Sequence, residues 1–482
     1  LDTLEFTITS LKLMTPSIVL IVGGCLLLCS GLFIKSGDAY RVHDNRNTLG
    51  ALAMLTIVLS AFAMSIRAEP SDLGNGLFRL DEAAIASERL ALIGGAILVL
   101  ISWSTAPRRF LPEYYGSLVM MLGGIPLVGA SNDLTALFLG LELVSIPTYI
   151  MLGIVKRDSA GMEAAIKYFL MSAFSSAFFM LGLSYLFGTS GSTNVQVIYD
   201  TLGSESPSKL TIVALLFVLC GLAFRITAVP FHFYAPDVFE GTSVTMASAM
   251  AYLPKLAGFV ALIRLLGTQL GPEVMSAVVP ILLACSALTM LVGNFMAAAQ
   301  SNLRRLLAYS SVAHSGYLLL AMAALVRNNA EPVVLYSYLA AYAVMTLGLF
   351  ACLAEIEAAG GKTLMIGDLS GMFYRRPAAS MGMAVCLISM IGLPLTAGFW
   401  AKFFVFMSTT AAGMEDPVSL GMGIFMAFNA VVAAAYYWRV LSKLFETSDA
   451  EVPLRVFRPS LFLAYTICVV LTLVWFFVPY AM

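Results

Sequence analysis

The stretch AASMGMAVCLISMIGLPLTAGFWAKFFVF, Ala378 to Phe406, decides the fold. It is long enough to cross a bilayer, which takes about twenty apolar residues as a helix. Its only ionisable side chain is Lys402, and Gly392-Leu393-Pro394 with Gly398 interrupts its middle. Proline removes a backbone donor and clashes with the preceding turn, so a continuous helix is not expected across it. In hydrocarbon, a broken helix survives only where protein or a water-filled cavity covers it. A membrane span broken beside a lysine is the pattern from which the rest of the chain is read.

Thirteen further apolar runs flank it, for about fourteen spans in all. Their cores are Ser17–Phe33, Gly50–Ile66, Leu90–Thr105, Tyr115–Ala130, Leu134–Val155, Ala164–Leu186, Leu210–Val229, Val244–Leu266, Val274–Ala299, Leu306–Val326, Val333–Ala354, Leu420–Trp438 and Leu461–Tyr480. The runs lack the period-two alternation of barrel strands, so the fold class is an all-α polytopic membrane protein. Composition agrees: of 482 residues 60% are hydrophobic and 11% charged, against about 25% charged in an average soluble domain. A soluble enzyme is excluded. With 27 Lys and Arg against 28 Asp and Glu, no basic surface for nucleic acid is on offer. All seven cysteines lie in apolar runs without a CxxC or Cys–His pairing, so they read as buried small hydrophobes, with no metal site expected. The acidic N-terminal residues Asp2 and Glu5 give no signal-peptide pattern.

Alternate connections differ in basic charge. Lys35, Arg41, Arg46, Arg108, Arg109, Lys156, Arg157, Arg304, Arg305, Lys362, Arg375, Arg376, Arg439, Lys443, Arg455 and Arg458 fall on one side. Lys12, Arg67, Arg79, Arg89, Lys209, Arg264 and Arg327 fall on the other, with both termini. The positive-inside rule puts the richer side in the cytoplasm or matrix and both termini outside. These residues are taken as loop or span-end charges.

Lys167, Arg225, Lys255 and Lys402 remain, inside spans, with Glu142 in mid-span and His314 in the tenth. An ionisable group there costs at least about 2.5–3.5 kcal/mol and is a functional candidate by default. Each has a plainer alternative: snorkelling for the lysines, a structural ion pair for Glu142, a satisfied core histidine for His314. The cations outnumber the central carboxylates, Glu142 and the edge residue Glu163, so some must be neutral, hydrated or sharing. A file of such lysines reads as a proton relay. A second break, Val229-Pro230-Phe231-His232, lies five spans before the first, with Arg225 just ahead of it. Five is odd, so a five-helix unit used twice must be inverted, an arrangement of many ion transporters. The expected organisation is N-terminal helices over 1–110, a first repeat over 111–268, a second, inverted repeat over 269–445 and a C-terminal helix over 446–482.

Several motifs resemble the antiporter-like, proton-translocating membrane subunits of respiratory complex I, most closely the chain-N branch. These are Phe138-Leu139-Gly140-Leu141-Glu142-Leu143, Glu163-Ala164-Ala165-Ile166-Lys167-Tyr168-Phe169, and Val229-Pro230-Phe231-His232 with Pro236-Asp237-Val238-Phe239-Glu240-Gly241. Pro254-Lys255, the segment Arg304 to Tyr317 around His314, and Gly392-Leu393-Pro394 with Trp400-Ala401-Lys402 complete them. The likeness covers almost the whole chain. The chain-M branch carries glutamate where Lys402 stands, and the chain-L branch has a long lateral helix after the fourteenth span that is not expected here. The resemblance implies a proton-pumping subunit of NADH:quinone oxidoreductase whose functional residues are Glu142, Lys167, Arg225, Lys255, His314 and Lys402, with His232 a further candidate. It implies no cofactor in this chain, with NADH, FMN, iron–sulfur clusters and quinone in partner subunits. Expected partners are chain M, the chains A, J and K side, lipid and protons, but no nucleic acid. The implied location is a bacterial cytoplasmic (inner) membrane or an organellar inner membrane. The family usually places lysine where Arg225 stands. Arginine does not deprotonate under ordinary conditions, so Arg225 is expected to be a fixed partner of Glu142. Two other readings stay open: a subunit of a multisubunit cation/proton antiporter, and a scaffold whose relay Arg225 disables.

Overall fold

The computed structural model describes residues 11–33, 39–67, 76–107, 109–155, 158–204, 208–267, 271–328, 330–360, 365–411, 416–447 and 458–478. Among these residues it is helical, with isolated bridges but no extended strand. The helices are α1 (Thr15–Ser30), α2 (Ala39–Ile66), α3 (Glu82–Thr105), α4 (Leu111–Ala130), α5 (Leu134–Val155) and α6 (Ser159–Ser190). They continue with α7 (Val195–Ser204), α8 (Lys209–Arg225), α9 (Tyr234–Gly241), α10 (Val244–Leu266), α11 (Pro272–Ala298), α12 (Leu303–Asn328) and α13 (Val333–Gly360). A 3₁₀ turn at Ile366–Leu369 leads to α14 (Met372–Arg375), α15 (Pro377–Ile391), α16 (Ala397–Thr410), α17 (Pro417–Phe445) and α18 (Pro459–Phe477).

Each apolar run falls on a helix. Among the described residues ten helices are long and apolar enough to cross a membrane by length and composition, and Thr15–Ser30 and Pro377–Ile391 are shorter apolar helices. Two of the runs are interrupted, one just ahead of Pro230 and the other at Gly392-Leu393-Pro394. The run from Leu210 ends as α8 at Arg225, and the chain turns through Thr227, at φ 57°, before α9. The run from Ala378 stops at Ile391 and restarts at Ala397, with Gly392 at φ 89° and Leu395 at φ 74° between.

The chain divides into two compact units. The first holds Leu1–Val99, Ala106–Ile226 and Leu253–Pro280; the second holds Leu100–Thr105, Thr227–Tyr252 and Ile281–Met482. In the first, α5 packs on α4 where each lacks a side chain: a Cβ on Gly124 would stand 2.9 Å from the Gly140 carbonyl, and one on Gly140 would stand 3.0 Å from Val128 N. Similarly, α6 meets α8 through Gly182 and Gly221. Small residues let helix backbones approach where lipid gives no hydrophobic drive to associate. In the second unit, α12 and α13 are the buried centre: their apolar windows are entirely enclosed by other residues, whereas those of α17 and α18 are mostly open.

Arg67, Arg264, Arg304 and Arg376 stand at helix ends or between helices, as expected of loop or end charges, but they are not simply solvated there. Lys35, Arg108, Lys156, Arg157, Lys362 and Arg455 lie outside the described residues, as does the Arg41 side chain. Several of the others are buried fasteners. In the first unit Arg67 pairs with Glu88 at 2.8 Å, the two side chains 6% and 2% exposed. Arg264 grips both Asp81 oxygens, at 2.6 and 2.5 Å. Burial would raise the Asp81 carboxyl, but the hydrogen bonds and charge of Arg264 outweigh it and hold the group below the usual carboxylate range. The stability this adds is present above the unfolded carboxylate's pKa and is lost as pH falls through the lowered folded value. In the second unit, buried Arg304 holds Glu357 and the Thr242 carbonyl, and Arg376 holds Glu355 at 2.8 Å. Hydropathy windows stop at Ala354 and Leu90, whereas α13 and α3 run one to two turns further and carry Glu355, Glu357 and Glu88 inward. The cysteines also divide: Cys352, Cys386 and Cys468 are buried, but Cys25 and Cys29 are exposed and Cys220 and Cys285 half-buried. An apolar run does not distinguish a face turned to other helices from one turned outward.

Removing one member of a buried pair strands the other, typically at about 3–5 kcal/mol. Glu357→Ala is expected to lower the unfolding temperature of the detergent-purified protein markedly. Lys443→Ala, which breaks an exposed pair with Glu446, should leave it unchanged. Equal effects would refute the fastener role of Arg304–Glu357.

Candidate functional site

The first unit builds a charge cluster at the end of α8. Arg225 is the last residue of that helix and 4% exposed. Its Nη2 donates to Glu142 Oε1 at 2.6 Å and to Ser176 Oγ at 3.3 Å. Its Nη1 donates to the Leu141 carbonyl at 2.9 Å and to Ser145 Oγ. Ser176 Oγ also donates to Glu142 Oε1, at 2.7 Å. Three helices converge on one guanidinium: α5 gives Leu141, Glu142 and Ser145, α6 gives Ser176, and α8 gives the arginine itself. A planar fork with several fixed donors suits such a site, where a lysine would supply a point charge. The arginine Nε is buried with no hydrogen-bond partner.

Lys255 belongs to the same unit. It is 2% exposed and among the largest fully buried side chains of the chain. Gly258, one turn further along α10, lies against α8: a Cβ there would be 3.3 Å from Arg225 Cβ and 2.6 Å from Ile226 Cγ2. Residues three apart share a helix face, so Lys255 is on the face of α10 that meets the arginine's end of α8.

Lys167 stands elsewhere. It pairs with Glu163 at 2.6 Å on α6, the two side chains 41% and 63% exposed. It is nine residues from Ser176, about 13 Å along the helix at 1.5 Å per residue. The expectation of four cations buried within the protein is therefore corrected: Lys167 and Glu163 are on an outward face near the start of their helix, where a lysine can reach past the hydrocarbon edge.

In the second unit the broken run makes a lysine site. Lys402 Nζ donates to the carbonyls of Met390 and Ile391 at 2.7 and 2.9 Å. These are last-turn carbonyls of α15, which the break deprives of intrahelical donors and which carry the negative end of the helix dipole. The ammonium also lies 5.3 Å from the Tyr317 ring centroid, in cation–π range. Two glycines make the break possible. Gly392 takes a left-handed φ with Lys402 Cδ 3.0 Å from where its Cβ would be, and a Cβ on Gly398 would fall 1.8 Å from the Ser389 carbonyl. Ser389 Oγ accepts from Gly398 N at 3.0 Å, capping the restarted helix.

His314, on α12, is 2% exposed inside a tyrosine cage. Nδ1 is 2.8 Å from Tyr338 OH and Nε2 3.4 Å from Tyr437 OH, which also hydrogen-bonds Ser310. The rings of Tyr342 and Tyr317 lie 5.2 and 5.8 Å from the imidazole. His232 is buried against Phe233 with Nδ1 unpartnered. Reading the sequence for charge missed the hydroxyls: Ser145, Ser176 and the four tyrosines carry no formal charge and so raise no signal in an apolar window. The signal open to it was the unusual density of Ser and Tyr in Arg304 to Tyr317. Among the described residues no group of three His, Cys, Asp or Glu could hold a metal ion.

Residues 131–428 match the family described as NADH:quinone oxidoreductase/Mrp antiporter, TM. The chain is 35% identical over 457 residues to NADH-quinone oxidoreductase subunit N 2 of Roseiflexus castenholzii, covering 91% of this chain and 89% of the relative. It is 32% identical over 474 residues to subunit N of Geobacillus kaustophilus, covering 96% and 93%. Among solved structures it is similar to a chain of respiratory complex I from Thermus thermophilus with bound aureothin, at 28% identity and a TM-score of 0.79, covering 96% and 97%.

A side chain at a left-handed position costs about 1–2 kcal/mol, and at Gly392 it would also press on Lys402. Gly392→Ala should therefore lower the unfolding temperature. Gly421→Ala, at an α17 position with open space around it, should not. A Gly392→Ala protein that melts like the parent would contradict the strained geometry of the break.

Proposed function

The chain belongs to the NADH:quinone oxidoreductase/Mrp antiporter transmembrane family, and from that premise we propose that it is a proton-translocating membrane-arm subunit of NADH:quinone oxidoreductase. It acts as the subunit N that its relatives are named for, and it carries no redox group itself. NADH oxidation and quinone reduction take place in partner subunits that hold FMN and iron–sulfur clusters, and chain M and the chains A, J and K side are its membrane neighbours. The membrane is a bacterial cytoplasmic (inner) membrane or an organellar inner membrane, with both termini on the outer side.

The observation that carries this reading is the division of chemistry among the buried cations. Arg225 is clamped by Glu142, two serines and a carbonyl, and a guanidinium keeps its proton. It is a fixed charge. Lys255, His314 and Lys402 are groups that can exchange a proton; Lys255 and His314 are buried, and Lys402 is half-buried with its ammonium on two backbone carbonyls. We assign the carrying role to these three, with water completing the path. Glu142 and Arg225 act as a paired charge whose field biases Lys255, since charges a few ångströms apart in a poorly hydrated interior interact by several kcal/mol. Lys167 modulates from the outward face, and His232 is a further candidate at the Val229-Pro230 break.

Arg225→Lys keeps a cation beside Glu142, and Arg225→Met leaves the carboxylate alone. In membrane vesicles containing the assembled complex, protons moved per NADH oxidised should stay close to the parent value for Arg225→Lys and fall for Arg225→Met. A parental ratio in Arg225→Met would overturn the fixed-charge role. The antiporter reading would gain if the chain co-purified without NADH dehydrogenase activity.

A further inference from the structure

We propose that Asn294 is a positioning residue of the second unit: it holds the Tyr317 ring between His314 and Lys402. The proposal rests on the carrying role assigned to Lys402. Asn294 on α11 and Asn429 on α17 are both 0% exposed, although most of the α17 apolar window is open. A buried amide in a membrane protein is costly unless its polar atoms are used. Those of Asn294 are all used. Nδ2 donates to Tyr317 OH at 3.3 Å and to Asn429 Oδ1 at 3.1 Å, and Oδ1 accepts from Tyr436 OH at 3.2 Å. Asn429 is oriented in turn by its own helix, donating Nδ2 to the Phe425 carbonyl at 3.0 Å.

The amide is therefore locked, and it grips the hydroxyl at the far end of Tyr317. That ring faces the Lys402 ammonium at 5.3 Å and meets the His314 ring at 5.8 Å with 76° between planes. Through these interactions a single ring touches both His314 and Lys402. The register of α11 against α12 is fixed beside the network. A Cβ on Gly293 would lie 2.5 Å from Ala313 N, and one on Gly316 would lie 2.7 Å from Met290 N. These two close approaches flank Asn294, His314 and Tyr317. An asparagine that only glued helices together would not need to point its amide at a tyrosine that touches both groups.

The test uses vesicles of the assembled complex, with proton uptake and NADH oxidation recorded together for Asn294→Leu, Asn294→Gln, Tyr317→Phe and Lys402→Met. In Asn294→Leu, protons per NADH should fall about two-fold or more, toward the Lys402→Met level, at undiminished NADH oxidation. Asn294→Gln should restore much of the loss, and Asn294→Leu combined with Tyr317→Phe should be no worse than Asn294→Leu alone. A parental ratio in Asn294→Leu, with Lys402→Met impaired, overturns the positioning role and leaves the carrying role standing. A parental ratio in Lys402→Met overturns both. A proportional loss of pumping and NADH oxidation, without rescue by glutamine, marks Asn294 as structural and overturns the proposal. If Asn294→Leu fails to assemble, Tyr317→Phe carries the test: it removes the tether alone and should lower the ratio, and a parental ratio overturns the inference.

Discussion

A charge inside hydrocarbon persists only where the chain itself supplies its partners, and this molecule meets that requirement in two ways. At Arg225 the partners are a carboxylate, two hydroxyls and a backbone carbonyl, gathered from two neighbouring helices. At Lys402 they are backbone carbonyls that exist only because α15 stops short. The rest of the architecture serves these two solutions. Gly182 and Gly221 bring α6 and α8 together beside the guanidinium, and Gly392, Pro394 and Gly398 interrupt the helix so that its carbonyls become ligands.

The two solutions have different chemical consequences. A guanidinium bound by a carboxylate, two hydroxyls and a carbonyl is tethered and keeps its proton. An ammonium resting on two carbonyls and an aromatic face has no counter-ion among those contacts, so its protonated form is held less firmly than a salt bridge would hold it. The proposed division between fixed and exchangeable charge follows from these contacts.

Much of this was legible in the sequence. Spans over Leu134–Val155 and Val244–Leu266 coincide with helices to the residue, because length and apolar continuity leave a segment in lipid no alternative to helix. Both breaks were readable from proline and glycine, and Glu142, Arg225, Lys255, His314 and Lys402 stood out as charge in apolar surroundings. What could not be read is direction around the helix axis. Nothing in the sequence near Lys167 distinguishes an outward from an inward face, and Cys25 and Cys29 pose the same problem. Hydropathy windows also end where charge begins, so Glu88, Glu355 and Glu357 were counted out of spans that in fact carry them inside as partners of arginine. The tyrosine cage and the asparagine pair were hidden for another reason: polar uncharged groups become visible only when tertiary structure puts them beside something they bind.

In the proposed role Lys402 works by letting go of its proton, not by being positive. Lys402→Arg separates the two. Arginine keeps the charge and can reach the same carbonyls, but it does not release a proton under working conditions. In vesicles of the assembled complex, a proton-releasing Lys402 predicts for Lys402→Arg continued NADH oxidation with proton translocation per NADH reduced as far as in Lys402→Met. A parental ratio with arginine at that position would contradict it and reduce Lys402 to a fixed charge.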